Sequence, residues 1–324
     1  MKKIKVYDCF PFSGENNLLL ARLDLLKDYV DYFVIIEGEL DFRGNYKGFM
    51  FDTSLSKKYN IRYVQIKKNE LLKLNSWERE YVTRNVIMRG IEGAKKHDVI
   101  ILSDLDEFID PKKLKVIESN SIYVYTMVWV RVYLNYACLN SFWSHAVSFN
   151  KKLLDLYDPI DLRLFRRSLR DSRLYNPIEY VDNSGWHLSY MARKHESIRS
   201  YVTKKVKKFP VDFIRHGDKF LKDNLKNFIY LTNYGIDFLG TKYLIWGRCN
   251  NSLSGMPKST LLILEKDFKK ILKNTFFKFD KNKISLINFI ARSHIGSKML
   301  SLFVRAYVKI SLTFLSYCQN NSKF

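Results

Sequence analysis

The first hundred residues alternate between short apolar runs and longer segments with helical periodicity. Runs typical of buried strands are "KIKVYDCF", "YFVIIEG", "IRYVQI" and "DVIILS". Between them, apolar residues recur at helical spacing in residues 16–28 and 77–95. Strands and helices that alternate in this way predict an α/β fold, in which helices flank a mostly parallel sheet.

After Pro111 the pattern changes. The run "IYVYTMVWVRVYL" is rich in β-branched and aromatic residues and favours sheet over helix. From Ile198 onward the chain is lysine-rich, and its periodicity is mainly helical. We therefore expect an α/β domain at residues 1–215, a helical region at 216–283 and a basic amphipathic helix at 284–318.

Composition supports a packed core, because 47% of the residues are hydrophobic and 15% are aromatic. The net charge of +22 is uneven. Residues 201–324 hold 23 Lys and Arg against 7 Asp and Glu, or +16, and residues 1–200 hold only +6. The second half therefore predicts an anionic neighbour, either phosphate-bearing lipid or nucleic acid.

The C-terminal segment 284–317 contains no Asp or Glu, and its apolar residues follow helical spacing. Arg305 and Lys309 interrupt the apolar run, which disfavours a spanning helix. The pattern indicates a basic helix that lies on an anionic membrane; the alternative is a helix packed on its own domain. Four scattered cysteines and the absence of a visible export signal predict a cytoplasmic protein, peripheral on the inner face of the membrane.

Candidate chemistry lies in "VIILSDLDEF", where Asp104, Asp106 and Glu107 follow an apolar strand. Ligands of parallel sheets bind beyond the carboxyl ends of the strands. Neighbouring carboxylates repel one another, and a cation relieves that repulsion. Asp-x-Asp suits Mg²⁺ or Mn²⁺ and leaves positions open for phosphates. The alternative is an acidic turn in which Asp106 or Asp110 caps the helix that Pro111 opens.

Five stretches extend the signal beyond this motif. They are "YDCFPFSGENNLLLARLDLL", "DYFVIIEGELDFRG", "WEREYVTRNVIMRG", "DVIILSDLDEF" and "GWHLSY", in this order. Together they resemble glycosyltransferase family 17, the family of β-1,4-mannosyl-glycoprotein β-1,4-N-acetylglucosaminyltransferase, in a bacterial-type member and over roughly residues 5 to 215. The resemblance implies a GT-A-like (Rossmann-like) catalytic domain that moves a sugar with inversion, N-acetylglucosamine or a related hexose, from a nucleotide sugar such as a UDP-sugar. The acceptor would be a glycan, such as lipid-linked surface polysaccharide or lipopolysaccharide.

The resemblance and the parallel sheet together suggest roles for single residues. The Mn²⁺ or Mg²⁺ ligands would be Asp104, Asp106 and His187. Donor contacts would come from Asp8, Glu37, Arg84, Asn85 and Asp104. Catalytic roles would fall to Glu107 and to Asp182, the latter as the general base, with Glu179 and Asp212 as alternatives. Ordinary structural roles remain open: a cap or loop charge for Asp8 and Glu37, a backbone-satisfied ring for His187.

Two further arginines are weighed as phosphate partners. Arg89 could compensate diphosphate charge, as Arg84 could, because guanidinium binds phosphate through two hydrogen bonds. Arg163 is another candidate, although the sequence favours a surface ion pair there.

Two other function classes stay open at this point. High positive charge with many Tyr and Phe suits a nucleic-acid-binding protein, but no recognised nucleic-acid motif is present and we expect no nucleic-acid partner. A sugar nucleotidyltransferase also uses paired aspartates for metal, but an early Gly-rich phosphate loop is not seen.

Overall fold

The computed structural model describes residues 4–114, 121–164, 178–191, 193–194, 236–239, 242–249 and 251–270. All of them belong to one compact unit, residues 1–276. The strands of this unit are β1 (Val6–Pro11), β2 (Tyr32–Gly38), β3 (Ile61–Ile66), β4 (Val99–Leu102), β5 (Glu107–Ile109), β6 (Ile122–Tyr125), β7 (Met127–Arg131), β8 (Tyr136–Trp143), β9 (Val147–Asn150), β10 (Ile178–Val181), β11 (Gly185–Ser189), β12 (Ile236–Leu239) and β13 (Lys242–Arg248).

Seven of the described strands form the first sheet, in the order β10-β6-β9-β4-β1-β2-β3. β1 pairs in parallel with β2 and β4, β2 with β3, and β10 with β6, while β9 runs antiparallel to both of its neighbours. The predicted α/β class, with a mostly parallel sheet flanked by helices, is confirmed. Since β1, β2 and β4 are parallel, the chain leaves all three strands at the same edge.

The described helices are α1 (Asn16–Leu26), α2 (Lys68–Leu71), α3 (Ser76–Asn85), α4 (Ile87–Gly90), α5 (Pro159–Leu164) and α6 (Lys258–Asp267), with short 3₁₀ turns at Thr53–Lys57, Pro111–Lys113 and Lys151–Asp155. The sequence predicted one helix over 77–95, but the structure divides it at Val86. Gly90 ends α4 against β2, where an added Cβ would lie 2.1 Å from Cγ1 of Val34. A larger residue there would push the helix away from the sheet.

The other six strands that the structure describes form the second sheet, in the order β12-β13-β8-β7-β11-β5. The aromatic run after residue 121 passes from the first sheet, as β6, to the second, as β7, with a break at Thr126. β11 begins at Gly185, whose φ is +148° and whose added Cβ would lie 2.0 Å from the backbone oxygen of Phe108. Glycine therefore lets β11 approach β5 closely enough to pair, which sets His187 opposite Glu107.

The apolar core lies on both faces of the first sheet. On one side, Leu19 and Leu23 of α1 pack with residues of both sheets, among them Phe10, Phe108 and Trp186. On the other side a second group packs around β1, β2 and β4, including Cys9, Val34, Ile36, Ile100 and Ile87. Burial of each side chain of this size stabilises the fold by about 1.5–3 kcal/mol. The edge where the strands end is therefore supported by a well-packed core.

The sequence predicted a helical region at 216–283, but the structure shows that this region is not helical throughout. Its described residues include β12 and β13, and β13 pairs antiparallel with β8. The run "KYLIWGR" gains sheet hydrogen bonds from a partner that periodicity alone does not reveal. The basic segment 284–318 lies outside the described residues. Among the residues that are described, the structure contains no helix with the length and apolarity needed to span a bilayer.

Candidate active site

The candidate site is the turn that joins β4 to β5, at the edge where the parallel strands end. The backbone N–H of Asp104 donates to Oε2 of Glu107 at 2.7 Å, and the N–H of Glu107 donates back to the carbonyl of Asp104 at 3.0 Å. The carbonyl of Asp106 accepts from the N–H of Leu188 on β11 at 2.8 Å. These bonds fix the turn between the two sheets and hold its carboxylates in a set geometry.

Arg22 of α1 anchors this turn from below and is fully buried. It binds Asp8 of β1 through two hydrogen bonds, of 2.6 and 2.8 Å. Its Nη1 donates to the carbonyls of Asp104 at 2.9 Å and of Glu107 at 2.7 Å. Asp8, predicted to contact the nucleotide, is itself fully buried and neutralises the arginine that supports the turn.

Asp104 lies between two arginines from different helices. Nη1 of Arg84 on α3 is 2.8 Å from its Oδ1, and Nη2 of Arg163 on α5 is 2.5 Å from its Oδ2. Burial would raise the pKa of Asp104, but the charges of Arg163 and Arg84 outweigh it and hold that pKa well below its usual range. Two of the five predicted donor-binding residues, Arg84 and Asp104, therefore lie together, and Arg163 joins them.

Glu107 is fully buried and forms a two-fold ion pair with Arg163, at 2.8 and 2.9 Å. Its Oε1 also accepts from the indole N–H of Trp143 at 2.6 Å. Desolvation would raise its pKa, yet Arg163 lowers it overall, and the two carboxylates raise the pKa of Arg163 in turn. The surface ion pair that the sequence favoured for Arg163 is wrong, because this side chain is only 4% exposed.

Asp106 differs from its neighbours, because within the described part of the chain no arginine contacts it. Its Oδ2 lies 3.5 Å from Nε2 of His187, and 29% of its side chain is exposed. His187 is buried, and its Nδ1 has no hydrogen-bond partner within the described part of the chain. At metal–ligand distances of about 2.1 Å, two ligands this far apart subtend an angle of about 110° at one ion.

This pair fits a divalent cation as two protein ligands. Mg²⁺ sites commonly use one or two carboxylates plus substrate phosphates, so a third protein ligand is not required. No group of three His, Cys, Asp or Glu suited to a metal occurs among the described residues. Asp104, the third predicted ligand, already has both carboxylate oxygens bound to arginine. Its role as a ligand stays a prediction.

The remaining candidates take other positions. Glu37 is buried and binds the loop after β2, accepting from Lys47, the N–H groups of Met50 and Phe51, and the hydroxyl of Tyr63. The side-chain oxygen of Asn85 accepts from the N–H of Ile160 in the first turn of α5 at 3.1 Å. Arg89 forms an exposed ion pair with Glu70. Donor contacts by Glu37, Asn85 and Arg89 stay predictions.

The candidate general bases are more exposed. Asp182 follows β10, is exposed, and accepts from the hydroxyl of Thr126 at 3.1 Å. Glu179 is exposed on β10, and Asp212 lies outside the described residues. The structure therefore keeps Asp182 and Glu179 in contact with solvent, whereas Glu107 is enclosed.

Sequence reasoning missed Arg22 and Trp143. Arg22 interrupts the leucine-rich run "LLLARLDLL", and a charge amid an apolar helical face is a signal of a buried ion pair. Trp143 gave no such signal, since its partner Glu107 is 36 residues away in the chain.

The family model of glycosyltransferase family 17 matches residues 1–260, which is most of the chain. The chain belongs to this glycosyltransferase family. The prediction of an enzyme that transfers a sugar is confirmed, over the nucleic-acid and nucleotidyltransferase alternatives. The match also reaches beyond residue 215, where the resemblance of the motifs ended.

Solved structures give weak likenesses to this family 17 chain. Rv0371C from Mycobacterium tuberculosis H37Rv, in complex with manganese, has 12% identity and a TM-score of 0.34, covering 57% of this chain and 91% of its own. A glycosyltransferase involved in glycosylation of the major capsid of PBCV-1 has 12% identity and a TM-score of 0.26, with coverages of 56% and 81%. An active-site mutant of LgtC has 8% identity and a TM-score of 0.29, with coverages of 83% and 98%. A search of curated proteins finds no match. The family assignment does not depend on these likenesses.

Proposed function

We propose that this glycosyltransferase is metal-dependent and inverting, and that it moves N-acetylglucosamine or a related hexose from a UDP-sugar to a glycan acceptor. The observation that carries the proposal is that the two aspartates of the turn after β4 have different partners. Asp106 and His187 face each other 3.5 Å apart, and Arg84 and Arg163 meet on Asp104 beside them. A cation site next to two arginines suits a diphosphate.

The arginines supply binding and charge for the donor. Arg84 is 11% exposed and reaches the turn from α3, so its guanidinium is the one nearer to solvent. Guanidinium groups bind phosphate oxygens through paired hydrogen bonds and stabilise negative charge on a leaving diphosphate. Arg163 is bound by Glu107 and Asp104, so its positive charge is held at a set position beside the proposed donor site.

Asp106 and His187 would hold Mn²⁺ or Mg²⁺, which when bound supplies Lewis-acid stabilisation of charge on the diphosphate. The mixed oxygen and nitrogen donor set favours Mn²⁺ over Mg²⁺. Asp182 is the proposed general base that removes the proton from the acceptor hydroxyl in a single displacement. Its exposure suits contact with an incoming acceptor. Glu107 suits a positioning role, because it is enclosed and bound to Arg163.

The proposed acceptor is a lipid-linked glycan, reached from the inner face of a membrane. The support is the +16 charge of residues 201–324 and the acid-free segment 284–317. Each basic residue near an anionic surface contributes about 1 kcal/mol. We expect the full chain to sediment with anionic but not with neutral vesicles, and Lys298→Gln with Arg305→Gln and Lys309→Gln to reduce that binding. Equal binding to both vesicle types would contradict the membrane role.

The test of function is a donor screen with the purified full chain. UDP- and GDP-sugars are each incubated with Mn²⁺, with Mg²⁺ or with excess chelator, and release of the nucleotide and the anomeric configuration of the product are measured. We expect turnover of a UDP-sugar that requires the cation and gives an inverted product. Full activity in chelator, or retention of configuration, would overturn the corresponding part of the proposal.

A further inference from the structure

Aromatic rings enclose the imidazole of His187 on one face of the second sheet. The ring of Trp143, on β8, stacks on His187 with centroids 4.1 Å apart and planes inclined by 27°. Trp129, on β7, lies 6.1 Å from the same imidazole and is nearly parallel to it, at 25°. The two indoles also contact each other, at 5.0 Å. The imidazole of His187 on β11 is therefore covered by the indole of Trp143 from β8, a contact that restricts rotation of its ring.

This packing replaces a contact that a metal-binding histidine normally has. Such a histidine usually donates its second ring N–H to a carboxylate, a carbonyl or water, which fixes the tautomer and the ring orientation. In His187 the buried Nδ1 has no hydrogen-bond partner among the residues that the structure describes, while Nε2 points to Asp106. The stacked indole of Trp143 is the contact that the imidazole has instead.

Trp143 also contacts the other half of the turn. Its indole N–H donates to Oε1 of Glu107 at 2.6 Å. Glu107 in turn binds Arg163, whose Nη2 is 2.9 Å from the same carboxylate oxygen. Arg163 then reaches Asp104. The side chain of Trp143 therefore contacts the imidazole of His187 through its ring and, through its N–H, the carboxylate that binds Arg163.

We propose that Trp143 is a positioning residue that aligns both halves of the site, setting His187 by stacking and setting Arg163 through Glu107. The inference rests on the proposed cation site for its effect on turnover. The stacking and the hydrogen bond stand on the geometry of the protein alone. Neither role requires Trp143 to touch a substrate.

Two substitutions separate the roles. Trp143→Phe keeps an aromatic ring over His187 but removes the N–H, whereas Trp143→Leu removes both. We expect Trp143→Leu to weaken Mn²⁺ binding by about 10- to 100-fold, the range found when outer contacts of metal ligands are lost. Trp143→Phe should bind Mn²⁺ within about threefold of wild type yet raise the donor KM, because Glu107 has lost one of its donors. Binding is measured by paramagnetic resonance of free Mn²⁺.

Phe142→Leu is the matched control, because Phe142 is the next residue on β8 and is 56% exposed. It makes the same kind of change without touching His187 or Glu107, and it should leave Mn²⁺ affinity and donor KM unchanged. Denaturant unfolding identifies any variant that is not folded. Wild-type Mn²⁺ affinity in folded Trp143→Leu would overturn the positioning role.

A second measurement works without metal. Two stacked indoles shift the ring proton signals of His187 upfield, and His187→Gln identifies those signals in histidine-labelled full chain. Trp143→Leu should move them toward ordinary positions, and Phe142→Leu should not. Unchanged His187 signals in Trp143→Leu overturn the inference. If wild type binds no Mn²⁺ while the signals move as expected, the stacking of Trp143 on His187 is upheld and the proposed cation site fails.

Discussion

The carboxylates around the turn after β4 fall into two groups with different physical situations. Asp8, Asp104 and Glu107 each pair with at least one arginine, and the partners Arg22 and Arg163 are almost fully buried. Asp106 faces only the imidazole of His187 in the described part of the chain. We call the carboxylates that are paired with arginine the closed group, and we call Asp106 with His187 the open pair.

The difference teaches which residues build the site and which are free to react. A buried carboxylate is tolerated only when its charge is matched and its lone pairs are bound, and Glu107 meets both conditions. Such a group is held too firmly to exchange its partners during turnover. Asp106 is about as exposed as Asp104, at 29% against 31%, but no arginine contacts it within the described residues, so its charge is available to a cation.

Asp106→Asn gives the largest expected effect on activity. The amide keeps the shape of the side chain but removes the charge that would bind the cation, so we expect turnover to fall by about 10²- to 10³-fold, as for loss of a key electrostatic group. The fold should be unaffected, because Asp106 has no arginine partner to strand among the described residues. Steady-state rates and thermal unfolding measure the two effects.

Asp110→Asn is the control for this substitution. Asp110 is on the same segment and caps the 3₁₀ turn at Pro111–Lys113, where asparagine serves equally well. Near-normal turnover by Asp106→Asn would show that the open pair is not the cation site.

Arg163→Met tests the closed group through stability. It leaves Glu107 buried without its two-fold partner, and breaking a buried ion pair from one side costs about 3–5 kcal/mol. Urea unfolding should show this loss. The double variant Arg163→Met with Glu107→Gln should recover part of it, since the stranded charge is gone. A loss below about 1 kcal/mol would mean that the pair is solvated and the group is not closed.

The pH dependence of stability gives a smaller effect with a defined sign. The pKa values of Asp104 and Glu107 are lowered in the folded protein from ordinary values of 3.8 and 4.5. Their contribution to the unfolding free energy is therefore complete above about pH 5 and is lost as the pH falls through their lowered pKa values. Asp104→Asn should make the loss of stability in acid shallower, measured by urea unfolding from pH 7 to pH 3.

Asp161→Asn is the control with the opposite sign. Burial and the charge of Asp158 raise the pKa of Asp161, so its ionisation destabilises the fold and acid relieves that penalty. Removing the group should make the loss of stability in acid steeper. Parallel curves for wild type and Asp104→Asn would show that the arginines do not stabilise that carboxylate.

The same comparison separates what could be predicted from the sequence from what could not. β2 and β3 match their predicted apolar runs residue for residue, because a buried strand is recognisable from the apolar residues of its own segment. The Asp-x-Asp turn was found for the same reason. Which carboxylates pair with arginine could not be predicted, since Arg163 reaches the carboxylates of Glu107 and Asp104 across 56 and 59 residues, and Arg22 reaches the backbone carbonyl of Asp104 across 82. Such pairs follow from the packing of α5 and α1, not from spacing.

Asn85→Ala gives the smallest expected effect and tests whether a predicted donor contact is structural. Its side-chain oxygen accepts from Ile160 in the first turn of α5, the helix that carries Arg163. Loss of a hydrogen bond at a helix start costs about 0.5–2 kcal/mol, so the closed group should loosen slightly while the donor KM changes less than about threefold. Asn85→Asp, which keeps the acceptor oxygen, should restore the stability measured by urea unfolding. A rise in donor KM of tenfold or more with unchanged stability would instead place Asn85 at the nucleotide, on the open side of the site.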